Sequence, residues 1–168
     1  FIFKNDLGYL NLFYFFAIFL IGILSDRVKN FSPIARLTLQ IAFSVLLILN
    51  TQTIIQDVRI DNLNIFLQKN IIISATFTVF CFLVLMNGTN FIDGVNLNLT
   101  GYYLLILLTI LYLSTNTSFL INLDITYLLI LVFSIIYALN ITGRFISGDS
   151  GAYTYGFFFG IYLIQFSN

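Results

Sequence analysis

Long apolar runs, broken by only a few charged residues, constrain this chain more than any other feature. Of its 168 residues, 60% are hydrophobic and 8% are charged. A soluble domain carries about 25% charged residues, whereas a helix that crosses a bilayer needs about 20 predominantly apolar residues in a row. The sequence therefore predicts an integral membrane protein.

Six apolar runs are candidate transmembrane helices. None of them alternates polar and apolar residues as the strands of a membrane barrel do. We therefore expect an all-α fold, a polytopic membrane helix bundle with about six transmembrane helices, and a single integral membrane domain over residues 1–168. The chain starts at Phe1 rather than Met, so we expect it to be a fragment of a longer protein. The candidate helices cover residues 7–24, 34–50, 71–86, 101–113, 125–141 and 153–166, and the fourth and sixth are short.

Charge and residue usage exclude several classes of function. Seven basic and seven acidic residues give a formal charge of zero. We expect no nucleic-acid partner, because phosphate backbones are bound by clustered Lys and Arg. The chain has no His and a single Cys, Cys81, which excludes His-based triads, typical zinc sites and disulfides within the chain.

Three short segments each carry an aspartate close to the end of an apolar run. Aspartate is costly in a membrane unless it binds a partner, so each is a candidate functional residue. Because the segments follow the first, third and fifth predicted helices, all three emerge on the same membrane face. They are LSDRVKN at residues 24–30, NGTNFIDGVN at residues 87–96 and SGDSGA at residues 147–152.

The basic residues indicate which face this is. Cytoplasmic loops carry an excess of Lys and Arg, and the face of the aspartate segments has one basic residue more than the opposite face. The sequence therefore favours a cytoplasmic site. The residues on the two faces are Arg27, Lys29, Arg36 and Arg144 against Lys4, Arg59 and Lys69.

The side chains of the three segments suit a magnesium-bound phosphate. Asp26, Asp93 and Asp149 could supply the few carboxylate oxygens that Mg²⁺ takes from a protein, with substrate phosphates and waters completing its shell. Glycines beside them, such as Gly94 and Gly148, allow backbone N–H groups to approach an anion closely. The pattern favours phosphoryl transfer from a nucleotide-type donor to a lipid acceptor.

Each segment also has a simpler structural interpretation. The first is a polar loop before Pro33, which would open the next helix. Asn87, Asn90, Asp93 and Asn96 recur every three residues, so they form either a polar helix end or a ligand-facing stripe. The third segment has a common turn composition, and only its occurrence with the other two on one face favours a site.

The order and spacing of the three segments resemble a known family. IGILSDRVKNFSPIARLTLQ is similar to a family segment in which an Asp-Asp pair and an Arg lead to a helix that opens with Arg and ends in Gln; Asp26 matches the second aspartate. NGTNFIDGVN resembles N-x-x-N-x-x-D-G-x-D, and RFISGDSGA resembles F-M-G-D-x-G-S. The family is that of the polyprenyl-phosphate N-acetylhexosamine-1-phosphate transferases, glycosyltransferase family 4, which includes phospho-N-acetylmuramoyl-pentapeptide transferase. The likeness is closer to its N-acetylglucosamine branch.

The resemblance implies a magnesium-dependent transferase with a defined set of partners. It would move an N-acetylhexosamine 1-phosphate, first of all N-acetylglucosamine 1-phosphate, from a UDP-sugar to undecaprenyl phosphate. The reaction releases UMP and initiates a lipid-linked cell-envelope glycan. The implied setting is the inner membrane, with a multi-pass topology, a cytoplasmic active face and a homodimer as a further partner. The implied site residues are Asp26 and Asp93 as catalytic residues, Asp149 and Asp26 as metal ligands, and Asn87, Asn90, Asn96 and Asn140 as substrate-binding residues.

Two positions depart from the family pattern and leave alternatives open. Ser25 stands where the first aspartate of the pair is expected, and Asn96 stands where the second aspartate of D-G-x-D is expected. These changes favour a second hypothesis, a non-catalytic homologue that binds polyprenyl phosphate or scaffolds glycan assembly. A third, a small transporter, would need its ionisable residues along a path through the bilayer rather than on one face.

Overall fold

The computed structural model describes residues 6–93, 98–116 and 123–167. These residues form seven α-helices and no strand, which confirms the all-α prediction. The helices are α1 (Asp6–Arg27), α2 (Pro33–Thr51), α3 (Asp61–Gln68), α4 (Ile71–Asp93), α5 (Asn98–Asn116), α6 (Leu123–Ile141) and α7 (Gly148–Ser167).

Four of the described helices are long and apolar enough to cross a membrane, so the chain is a polytopic helical bundle. They span Tyr9–Arg27, Pro33–Thr51, Ile71–Asp93 and Leu123–Ile141, and Asn98–Ser114 is a shorter apolar helix. The expected number was about six, counting α5 and α7. The helix α7 is not among the four because polar residues and glycines interrupt its apolar run. Its sequence is GDSGAYTYGFFFGIYLIQFS.

The segment between α2 and α4, predicted as a loop, contains the short helix α3. Asp57 organises the turn before it: the Arg59 backbone N–H donates to Asp57 Oδ1 at 2.6 Å and Asn64 Nδ2 donates at 2.5 Å. These two hydrogen bonds stabilise the charged carboxylate and lower the pKa of Asp57. Sequence patterns missed the helix because eight residues are too few to show a helical period.

Two helix starts follow directly from local sequence. Pro33 is the first residue of α2, where its fixed φ suits the helix and its missing N–H costs nothing. Asn70 precedes α4, and its Oδ1 accepts a hydrogen bond from the Ile72 backbone N–H at 2.8 Å, as in a typical helix N-cap. The predicted opening of a helix by Pro33 is thereby confirmed.

Packing divides the chain into two compact units, Phe1–Asn90 with Gly148–Asn168, and Phe91–Ser147. The first unit contains α1, α2, α3, most of α4, and α7. The second contains α5, α6 and the last residues of α4. This division into packing units does not test the expectation of a single membrane domain, which stays a prediction.

The core of the first unit lies where α1, α2, α4 and α7 meet. Two glycines of this unit allow backbones to touch. A Cβ atom on Gly22 of α1 would come 2.2 Å from Ser150 Cα of α7, and one on Gly156 of α7 would come 2.7 Å from Met86 Cα of α4. Small residues at such points are the usual means of close helix packing in membranes. The buried cluster comprises Tyr14, Ile18, Ile21, Leu47, Phe82, Met86, Tyr153, Phe157, Ile161 and Ile164.

The second unit is built on α5 packed against α6. The Tyr103 and Phe133 rings lie 5.8 Å apart between their centroids, and both residues are buried. Near one end of the pair, Asn140 Nδ2 donates to Thr100 Oγ1 at 3.1 Å. Asn140 therefore has a structural partner within this unit.

Candidate functional site

Asp26, near the end of α1, caps the start of α7. The Asp149 backbone N–H donates to Asp26 Oδ1 at 3.0 Å, and the Ser150 N–H donates to Asp26 Oδ2 at 3.1 Å. The first N–H groups of a helix lack partners within the helix, and the helix dipole favours a negative charge there. The two predicted aspartate segments at residues 24–30 and 147–152 are thereby brought together.

Gly148 makes this approach possible. Its φ is +60°, a left-handed conformation that glycine adopts without a steric penalty. A Cβ atom at this position would lie 3.0 Å from Asp26 Oδ2. The glycine before Asp149 thus serves both the turn into α7 and the close passage of a carboxylate.

The carboxylate of Asp149 is held through one of its oxygens. Ser25 Oγ donates to Asp149 Oδ2 at 2.5 Å, and Arg36 Nη1 donates to the same oxygen at 3.3 Å. Arg36 Nη1 also donates to Ser25 Oγ at 3.2 Å. The serine hydroxyl thus accepts a hydrogen bond from the arginine and donates one to the carboxylate. Among the described residues no side chain donates to Asp149 Oδ1.

Arg36 and Asp149 form an ion pair that solvent can still reach. Their side chains are 26% and 28% exposed. Arg36 is on the first turn of α2, the helix that follows the segment at residues 24–30. Its guanidinium carbon also lies 5.4 Å from the centroid of the Tyr153 ring, within the range of a cation–π contact.

The predicted residues Asn87 and Asn90 on α4 have different hydrogen-bond partners. Asn90 Nδ2 donates to the Tyr153 hydroxyl at 3.1 Å, and that hydroxyl donates to Asp149 Oδ2 at 3.4 Å. Asn87 Nδ2 instead donates to Gln40 Oε1 on α2 at 3.0 Å. Asn90 is therefore connected to Asp149 through Tyr153, whereas Asn87 links α4 to α2.

The remaining predicted residues lie elsewhere. Asp93 is the last residue of α4 and belongs to the second unit, as does Asn140. Asn96 lies outside the described residues. The roles predicted for these three residues stay predictions.

The donor set suits magnesium better than a cation that needs a complete protein cage. Within the described part of the chain, no group of three or more His, Cys, Asp or Glu side chains converges. Mg²⁺ is usually bound through one or two carboxylates, with waters and substrate phosphates filling its other positions. Asp149 offers Oδ1, and the Asp26 carboxylate uses two of its roughly four lone-pair positions for the N–H groups of α7. The two residues therefore fit the ion.

Sequence reasoning did not assign roles to three residues of this network. Ser25 was noted as a departure from the family pattern, and Arg36 as a basic residue that opens a helix. Tyr153 was included only as the first residue of the sixth candidate helix. A helical spacing of four, from Asp149 to Tyr153, was the signal that could have pointed to the tyrosine.

Comparisons with known proteins bear on what this arrangement does. A family model for glycosyl transferase family 4 matches residues 9–167. A search of curated proteins and a search of solved structures find no match to the chain. The matched range covers all three aspartate segments and every helix that forms the site.

Proposed function

Because the chain belongs to glycosyl transferase family 4, a family of membrane-bound glycosyl-phosphate transferases that act on polyprenyl phosphates, we propose a specific reaction for it. It transfers N-acetylhexosamine 1-phosphate, with N-acetylglucosamine as the first sugar to test, from a UDP-sugar to undecaprenyl phosphate. UMP is released, and the lipid-linked product initiates a cell-envelope glycan.

One observation carries this proposal: Asp26 and Asp149, from distant parts of the sequence, meet at the N-terminus of α7 beside Arg36. Carboxylates and a guanidinium are groups that bind a magnesium–pyrophosphate. The arrangement thus supports binding of a nucleotide diphosphate sugar next to a lipid phosphate.

The chemistry needs positioning more than proton transfer. An oxygen of the acceptor phosphate forms a bond to the sugar-bearing phosphorus of the donor, while the bond to the bridging oxygen breaks and UMP leaves with the electron pair. The acceptor phosphate is already ionised, so no base has to remove a proton, and Ser25 is no obstacle. Mg²⁺ bound at Asp149 and Asp26 would supply neutralisation of the phosphate charge.

The chain's own residues would then orient the reactants. Arg36 forms an ion pair with Asp149 and would balance charge on the acceptor or on the departing phosphate. Asn90, connected to Asp149 through Tyr153, would bind the nucleotide. The substrate-binding roles of Asp93, Asn87, Asn96 and Asn140 rest on the family resemblance alone. We place the protein in the inner membrane with its active face in the cytoplasm, and a homodimer is the expected assembly.

Transfer of radiolabelled N-acetylglucosamine 1-phosphate from UDP-N-acetylglucosamine to undecaprenyl phosphate tests the proposal. Membranes that contain the full-length protein should form labelled lipid with Mg²⁺ and none with EDTA. Asp149→Asn should abolish the product. The matched control is Asp124→Asn, in the first turn of α6 and exposed, which should keep full activity. Retained activity in Asp149→Asn would exclude the metal assignment.

A non-catalytic homologue is the second candidate function. The observation that favours it is Ser25, because the family's first aspartate is replaced by a neutral residue that binds Asp149 directly. In that case wild-type membranes would form no lipid product with any UDP-sugar, and Ser25→Asp with Asn96→Asp would restore it. Product formed by the wild-type protein would exclude this candidate.

A further inference from the structure

Tyr153 contacts three residues of the site while its own side chain is fully buried, at 0% exposure. Its hydroxyl accepts a hydrogen bond from Asn90 Nδ2 at 3.1 Å and donates one to Asp149 Oδ2 at 3.4 Å. Its ring lies 5.4 Å from the Arg36 guanidinium carbon. A single side chain thus links α4, α2 and the metal-ligand candidate on its own helix.

The two hydrogen bonds of the Tyr153 hydroxyl fix the orientation of its proton. A tyrosine hydroxyl has one proton to donate and lone pairs that accept. Because the Asn90 amide donates to the oxygen, the proton is left for Asp149. Phenylalanine at this position would keep the ring beside Arg36 but would lose both hydrogen bonds, and an aliphatic side chain would lose all three contacts.

The effect on Asp149 is one-sided. Tyr153, Ser25 and Arg36 all donate to Oδ2, whereas Oδ1 receives no donor from the described residues. A carboxylate held by three donors on one oxygen presents its other oxygen in a constant direction. Such support of a metal ligand by its neighbours typically changes metal affinity or activity by about 10–100-fold when it is removed.

We propose that Tyr153 is a positioning residue of this site: it orients Asp149 so that Oδ1 faces the cation, and it fixes the Asn90 amide and the Arg36 guanidinium relative to that carboxylate. The inference rests on the proposed function and extends it to a residue outside the three aspartates. Tyr153 acts through other side chains and does not itself touch substrate.

Binding of Mn²⁺, followed by electron paramagnetic resonance on the purified full-length protein, tests the inference without turnover. Tyr153→Phe is expected to weaken Mn²⁺ binding about fivefold, the size of one modest hydrogen bond. It should also lower kcat about tenfold at saturating Mg²⁺, as the loss of support around a metal ligand does. The KM for the lipid acceptor should stay unchanged, because phenylalanine keeps the ring beside Arg36, the residue proposed to face the acceptor.

Two further variants separate positioning from packing. Tyr162→Phe removes a hydroxyl from a buried tyrosine, 7% exposed, farther along the same helix, and should keep wild-type Mn²⁺ affinity and kcat. Asn90→Leu leaves the Tyr153 ring in place and removes the donor that directs its proton. This variant should weaken Mn²⁺ binding although Asn90 is no metal ligand, and it should show little added effect with Tyr153→Phe.

The outcomes distinguish this inference from the proposed function. Wild-type protein that neither binds Mn²⁺ nor forms lipid product overturns the proposed function, and this inference with it. Wild-type protein that does both, with Tyr153→Phe equal to it in Mn²⁺ affinity and kcat, overturns the role of Tyr153 alone. Additive effects of Tyr153→Phe and Asn90→Leu on Mn²⁺ affinity would also overturn it.

Discussion

Gly22 on α1 lies so close to Ser150 on α7 that a Cβ atom at Gly22 would come 2.2 Å from the Ser150 Cα. Asp26 follows Gly22 by one helical turn, and Ser150 follows Asp149 directly. The contact between the two backbones therefore holds the Asp26 carboxylate within hydrogen-bonding distance of the first N–H groups of α7. Packing and the site depend on the same pair of residues.

Gly22→Ala should therefore destabilise the protein and remove activity together. The added methyl group meets backbone atoms, which cannot move aside without separating α1 from α7. We expect a loss of about 3 kcal/mol, the upper range for overpacking. The measurement is the fraction of protein that elutes as a folded species in detergent after heating.

Gly88→Ala is the matched control for this substitution. Gly88 is also within a helix and lies in the predicted segment at residues 87–96, but a Cβ atom there would meet nothing within 4 Å. Alanine should stabilise α4 slightly, by about 0.5–1 kcal/mol, because it restricts the unfolded chain more than glycine does. Equal loss of folded protein in Gly22→Ala and Gly88→Ala would contradict the proposed contact.

Asp26→Asn should separate the capping role of this residue from its charge. Asparagine keeps only one of the two oxygens that accept the N–H groups of α7, so its loss of stability should be smaller than that of Asp26→Ala, which should be about 1 kcal/mol. Both variants should lose transfer activity if the carboxylate serves the metal. Full activity in Asp26→Asn would restrict Asp26 to a structural role. Thermal unfolding and the transfer assay together give the answer.

Ser25→Asp should make stability depend on Mg²⁺. The new carboxylate would face Asp149 Oδ2 in place of the Ser25 hydroxyl, and two like charges repel unless a cation lies between them. We expect a lower Tm than wild type in EDTA and a larger rise in Tm when Mg²⁺ is added, since a ligand that binds only the folded state stabilises it. Ser25→Asn, neutral and similar in shape to the aspartate, is the control and should not respond to Mg²⁺ more than wild type does. If Mg²⁺ did not change the Tm of Ser25→Asp, this would argue against a cation between residue 25 and Asp149.

Arg36→Lys should retain most of the activity, whereas Arg36→Met should lose it. Both hydrogen bonds of Arg36 come from the single atom Nη1, so they do not require the planar fork of a guanidinium. An ammonium group can supply the same donor and the same charge. We expect transfer within about threefold of wild type for Lys and a loss of more than about tenfold for Met, near the value of a hydrogen bond to a charged group. A methionine variant as active as the lysine variant would show that the charge is not used.

Several features were predictable because they depend on local sequence. Apolar run length indicated helices, and Pro33 indicated where α2 begins. The aspartates at residues 26 and 149 were recognised because an uncompensated carboxylate is costly in an apolar chain. The helix α3 was missed because it is short. The run at residues 153–166 was counted as a candidate transmembrane helix, although polar residues and glycines interrupt the apolar residues of α7.

The partnerships of the site were not predictable in the same way. Nothing in LSDRVKN says that the aspartate will cap another helix 123 residues later. In the sequence, Ser25 stands where an aspartate of the family pattern is expected. In the structure, its hydroxyl makes the shortest hydrogen bond to Asp149 among the described residues. Tyr153 is an aromatic residue in an apolar run, a pattern that indicates packing. In the structure it packs in the core and also donates a hydrogen bond to Asp149.

The sequence by itself determined the class of fold, the membrane setting and the three segments that carry charge, because hydropathy and the cost of isolated carboxylates are properties of short stretches. The tertiary structure alone decided which of those charges meet. Gly22 and Gly156 let α7 approach α1 and α4 until backbone and side chains touch. A hydrogen bond forms only at about 3 Å, and that distance is set by helix packing rather than by any local pattern.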